Sequence, residues 1–97
     1  MTNYSRGRAI EYKAIKELEA TGLYSLIVRA AGSHGLFDIY ALTPYWNSGK
    51  SLAIQIKNNC KPTSKEVDDM RRINLFGFEK QVWIWRPRKG FEKIEIK

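Results

Sequence analysis

Residues 51–57, Ser-Leu-Ala-Ile-Gln-Ile-Lys, make an apolar run broken by polar side chains at Gln55 and Lys57. Successive side chains of a strand alternate faces, so Gln55 and Lys57 share one face, about 6.6 Å apart along the chain. Leu52, Ile54 and Ile56 take the opposite, core-facing side. A second run, residues 36–42, is apolar except for Asp38. If the two strands pair, Asp38 comes beside Gln55 and Lys57, and an acid, an amide oxygen and an ammonium converge. A bare buried carboxylate is costly, so the convergence implies mutual pairing, a metal ion, or both.

The other elements are arranged around these two strands. A helix is expected over residues 5–21, with Ser5 as N-cap and Gly22 as the stop. Ala14, Ile15 and Leu18 fall on one stripe of it, and Glu11 lands inside that stripe one turn earlier. A glutamate there is either paired with Arg6 or Arg8 or aimed at the sheet as a ligand. Residues 24–30 read as a first strand, 31–35 as a glycine-rich turn, 36–42 and 51–57 as the second and third strands. Pro62 and the capping-box spacing of Thr63 and Glu66 open a second helix over about 64–76, closed by Gly77. Residues 80–86 alternate as a fourth strand, with Val82 and Ile84 facing one way and Trp83 and Trp85 the other, and 91–96 form a short fifth. The order α-β-β-β-α-β-β predicts an α/β fold, one mixed sheet with helices packed on it, in a single domain over residues 1–97.

The net charge of +7 on 97 residues points to a polyanionic partner. No apolar run approaches a membrane span and there is no signal-peptide core, so an intracellular protein is expected; the mixed charges on the outer face of the first helix argue against a membrane-surface partner. The single cysteine, Cys60, fits a reducing compartment, and one Cys with one His argues against zinc.

The ordered set Arg6-Gly7-Arg8-x-x-Glu11, Arg29-x-x-Gly32-Ser33, Asp38 and Gln55-Ile56-Lys57 resembles the PD-(D/E)XK nucleases, and among them the archaeal-type Holliday-junction resolvases. The resemblance runs from about residue 4 to residue 85. It implies a restriction-endonuclease-like core, a homodimer, dependence on Mg2+ with Mn2+ as substitute, and paired nicks across branched DNA, a four-way junction. A cytoplasmic location in a prokaryotic cell or a phage-infected host follows. Gln55 stands where the family has an acid, and the loop from Ser33 to Asp38 is shorter than in resolvases.

In chemical terms, Asp38, the Gln55 oxygen and the Ile56 carbonyl would hold the ion, with Glu11 completing the shell or binding a second ion. Lys57 would orient and deprotonate the water or stabilise transition-state charge. Ser33 would position a phosphate or a metal-bound water. Arg6, Arg8, Arg29, His34 and Lys61 are the cations expected against phosphate, with Arg88 and Lys89 as a distal DNA arm. Trp83 and Trp85 are assigned to a dimer interface, against a core under a helix or a base-stacking platform. Two other readings stay open: a virus-type replication-repair nuclease cutting flaps or single strands, and a non-catalytic DNA-binding module.

Overall fold

The computed structural model describes residues 3–30, 36–44 and 49–97, and the side chains of the first helix from residue 8 onward. The first helix, α1, spans Asn3–Thr21. Ile10, Ala14 and Leu18 recur every four residues and are buried, so a single stripe faces the sheet. Gly22, at φ 68°, stops the helix as expected, and its N–H donates to the Glu19 carbonyl at 3.2 Å. The helix starts before Ser5, which lies inside it and is not the cap.

Five strands follow: β1 (Leu26–Arg29), β2 (Ile39–Leu42), β3 (Ser51–Asn58), β4 (Phe78–Arg86) and β5 (Gly90–Ile96). They form one sheet in chain order, β1-β2-β3-β4-β5. β1, β2 and β3 are an antiparallel meander, β3 and β4 run parallel, and β4 and β5 pair antiparallel. A parallel pair needs a crossover, and the second helix, α2 (Ser64–Arg72), supplies it. The two helices bury opposite faces of the sheet. Ala14 and Leu18 of α1 pack on Ile39, Ala41, Leu52, Ile54 and Trp83. Met70 of α2 packs on Phe37, Ala53, Val82, Ile84 and Ile96. Burying each large side chain contributes about 1.5–3 kcal/mol, and β3, covered on both faces, is the centre of the core.

Three expectations change. First, α2 ends at Arg72 rather than running to residue 76. Ile73 turns extended, and its carbonyl is taken by the Lys80 ammonium, so the chain leaves the helix under a cap supplied by β4. Gly77, at φ 84°, serves a separate tight turn, with the Phe78 N–H donating to Leu75 O at 3.1 Å. Second, Trp83 is only 2 % exposed and sits under α1 within one chain. It is core and not a subunit interface. Trp85 packs edge-on against Phe91, with the Lys13 ammonium 4.9 Å from its ring centre. Third, side-chain alternation breaks at Asp38. Phe37 joins the α2-side core and Ile39 the α1-side core, although strand neighbours two apart should share a face. The Asp38 N–H donates to Ile54 O at 2.8 Å while Ile39 is already the register partner of Ile54. Two residues therefore oppose one, the arrangement of a β-bulge.

Candidate active site

The bulge decides what Asp38 does. Beyond it β2 leaves the sheet, and the Ile56 N–H of β3 loses its backbone acceptor on that side. Asp38 Oδ2 takes that amide at 2.8 Å. The carboxylate therefore touches β3 midway between Gln55 and Lys57. Burial pushes its pKa up from the ordinary carboxylate value. The Ile56 amide works against that rise, nearby Glu11 adds to it, and Lys57 opposes it. Asp38 thus stands within electrostatic reach of both Glu11 and Lys57.

Glu11 points inward from α1 and pairs with Arg29 at the end of β1, Oε1 to Nη1 at 3.2 Å, both side chains 20 % exposed. This partner comes from the first strand, and the same guanidinium lies over the Tyr12 ring at 5.2 Å. Arg29 is therefore held as the counter-ion of Glu11.

Gln55 and Lys57 share the α2 face of β3, and there they meet Glu66. The Lys57 ammonium lies 2.7 Å from Glu66 Oε2, and Gln55 Nε2 donates to the same oxygen at 3.0 Å. The other oxygen, Oε1, accepts the Thr63 N–H at 2.9 Å and completes the capping box. Lys57 first, and then the Thr63 amide, hold the Glu66 pKa down at about 2. Gln55 itself is 7 % exposed. Its Oε1 is buried and has no hydrogen-bond partner among the described residues. An unpaired buried oxygen costs about 1–3 kcal/mol, and such atoms in a folded protein call for a partner.

Glu66 is the residue the sequence reading missed as a site group. Its capping role was legible, but the second oxygen was not assigned. The available signal was the missing acid at position 55 together with an acid one turn into the next helix. Among the described residues, no three His, Cys, Asp or Glu side chains cluster tightly enough to cage a metal ion by themselves.

The cations expected against DNA are distributed as follows. β3 and β4 run parallel and finish at one end of the sheet, where Lys57, the exposed Lys61 and the exposed hairpin residues Arg88 and Lys89 lie. Arg88 takes φ 68° in that hairpin. Antiparallel pairing puts Arg29 and Asp38 at the same end, and the exposed Arg8 lies one turn before Glu11. Ser33 and His34 lie outside the described residues, as does the side chain of Arg6. No described helix is long and apolar enough to cross a membrane. A scan of the chain against protein-family models found no match, and a search of curated proteins found none either.

Proposed function

We propose that this chain is a divalent-metal-dependent endodeoxyribonuclease of the PD-(D/E)XK type, acting as a homodimer on four-way DNA junctions. The observation that carries the reading is the buried Gln55 Oε1, without a hydrogen-bond partner among the described residues, on an amide whose nitrogen joins the Lys57–Glu66 pair. A core strand has no use for a buried orphan oxygen, whereas a cation site does. The Asp38 carboxylate, raised by burial, would also gain from a cation. Both donors are hard oxygens, which suits Mg2+ or Mn2+. Asp38, Gln55 and the Ile56 carbonyl would hold the ion, with Glu11 nearby. Such an ion, when bound, polarises the phosphodiester and acidifies a water.

The chain's own groups supply the rest. Lys57 presents a positive charge where negative charge develops on the phosphate, in a partly water-excluded place where it counts for more. Glu66 fixes that ammonium from α2, so its position depends on the crossover helix and not on a free side-chain rotamer. Asp38 ties the β2 bulge to Ile56, which keeps the Gln55-x-Lys57 pair in register with it. Lys61, Arg88 and Lys89 at the same end of the sheet would bind flanking phosphates and supply most of the salt-dependent affinity.

The test is cleavage of a labelled four-way junction beside a matched duplex, a splayed arm and a single strand, each with Mg2+, Mn2+ or chelator. Symmetric, metal-dependent nicks confined to the junction are expected. The Gln55-x-Lys57 pair leading into a helix also suits the replication-repair type, and cuts mainly on the splayed arm or single strand would favour it. Binding without cuts under either metal would leave a DNA-binding module.

A further inference from the structure

The end of the sheet opposite Lys57 carries a second assembly of groups. A groove of about 630 Å3 opens there, between the C-terminus of α2, the start of β4 and the end of β5. Its walls carry the cations Lys50, Arg71, Arg72, Lys80 and Lys97 and the carboxylates Glu79 and Glu95. Part of this charge has a structural role. Lys80 donates to the Ile73 and Arg71 carbonyls at the helix end, and Arg71 donates to the Lys97 carbonyl. Glu79 already accepts from Gln81. Lys50, Arg72 and the Lys97 side chain are exposed, and none pairs with a carboxylate among the described residues.

Beside this groove stands Phe76, 97 % exposed. It occupies the second position of the tight turn 75–78, closed by the Phe78 N–H on Leu75 O and by Gly77 at φ 84°. A positive φ at the third position is the mark of a type II turn. Leu75 and Phe78, which flank Phe76 in that turn, line the groove. The backbone therefore holds an aromatic ring out in water on the turn that borders a groove carrying Lys50, Arg72 and Lys97, three cations with no carboxylate partner among the described residues. Neither helix capping nor core packing accounts for this arrangement.

We infer that Phe76 with Lys50, Arg72 and Lys97 binds an unpaired stretch of nucleic acid, a base stacking on the Phe76 ring and adjacent phosphates lying on the three cations. Every base offers a π-face, and alternating ring and phosphate contacts are how single strands are held. A lipid surface fits less well, because the apolar element is one ring on a rigid turn and not the apolar face of a basic amphipathic helix. Ser51 and Lys57 are six residues apart on β3, so this surface lies roughly 20 Å from Lys57. A strand bound here would be a second contact, separate from the proposed cleavage site, and the inference does not need that site to cut.

The experiment is equilibrium binding with chelator present, so that cleavage plays no part. The probes are a dT oligonucleotide with one 2-aminopurine, its RNA counterpart, a matched duplex, and vesicles of phosphatidylserine and phosphatidylcholine. Wild-type protein is expected to bind the single strands and quench the 2-aminopurine; DNA against RNA preference then reports on the sugar. Phe76→Ala should weaken single-strand binding about tenfold and abolish the quench, while Phe76→Trp restores both. Arg72→Gln and Lys50→Gln should each lower the slope of log affinity against log salt by about 0.7. Thermal unfolding should be unchanged in the Phe76 variants, since the ring touches water. Single-strand affinity and quench equal in wild type and Phe76→Ala would overturn the inference. So would vesicle binding that depends on Phe76 while oligonucleotide binding does not.

Discussion

Lys57 Nζ lies 2.7 Å from Glu66 Oε2, joining the central strand to the first turn of the crossover helix. The two side chains are 21 % and 24 % exposed, so the pair is only partly screened by water. Its geometry is set from both sides: Thr63 fixes the glutamate from the helix cap, and Gln55 fixes it from the strand. The Lys57 ammonium and the start of α2 are thus one structural unit.

Glu66→Gln tests that unit. A hydrogen bond to a charged group contributes about 1.5–3 kcal/mol, so urea unfolding at neutral pH should show a loss of about that size. The pH dependence follows from the Glu66 pKa, lowered from 4.5 to about 2 in the folded state. A depressed carboxylate stabilises the fold above its unfolded pKa, and that contribution fades as pH falls from 4.5 toward 2. The variant should therefore lose less stability than wild type across that window. Parallel acid curves for the two proteins would show that the pair adds nothing to folding.

Asp38 has the opposite sign. Its pKa is raised in the folded state, so the folded protein binds the proton more readily and ionising it disfavours folding as pH rises past the unfolded value. Asp38→Asn keeps an acceptor for the Ile56 amide and removes the buried charge. It should fold at least as stably as wild type at neutral pH and be unable to cut DNA. Asp38→Ala leaves the Ile56 N–H unpaired and should be less stable by about 1–3 kcal/mol. Chemical denaturation of the two variants separates the acceptor role from the charge, and nicking by Asp38→Asn would remove Asp38 from the reaction.

Gln55→Glu places a second carboxylate 3.0 Å from the Glu66 oxygen that the amide now satisfies. In chelator it should unfold about 5–10 °C lower than wild type, taking about 1–2 kcal/mol for the lost hydrogen bond and the repulsion. Millimolar Mg2+ should restore much of that, and raise the melting temperature of the variant more than that of wild type. Cleavage should persist, and at low Mg2+ equal or exceed wild type. A melting temperature indifferent to Mg2+ and Mn2+ in both proteins would count against an ion at this position.

Trp83→Ala removes a ring buried between α1 and the sheet. Truncation of such a side chain costs about 3–5 kcal/mol, a large part of the stability of a chain this size. Equilibrium unfolding should register that loss at any protein concentration. A variant of normal stability whose only change was its oligomeric state would contradict the core placement.

Much of this protein is local and was legible in its residues. Period-two alternation marked β3 and β4, Gly22 stopped α1, and the Thr63–Glu66 spacing produced the capping box, because each depends on near neighbours alone. Charge anomalies in apolar runs also pointed to Glu11, Asp38, Gln55 and Lys57 without any knowledge of the fold. Their partners were another matter. Arg29 for Glu11 and Glu66 for Lys57 come from elements 18 and 9 residues away, respectively, and which side chains meet depends on how helices cross the sheet. The bulge at Asp38, the early end of α2 under Lys80 and the burial of Trp83 are likewise tertiary decisions. In each, a contact from a distant strand or helix outweighs a local preference of a fraction of a kcal/mol, because burial and hydrogen bonding in the assembled core are worth several times more.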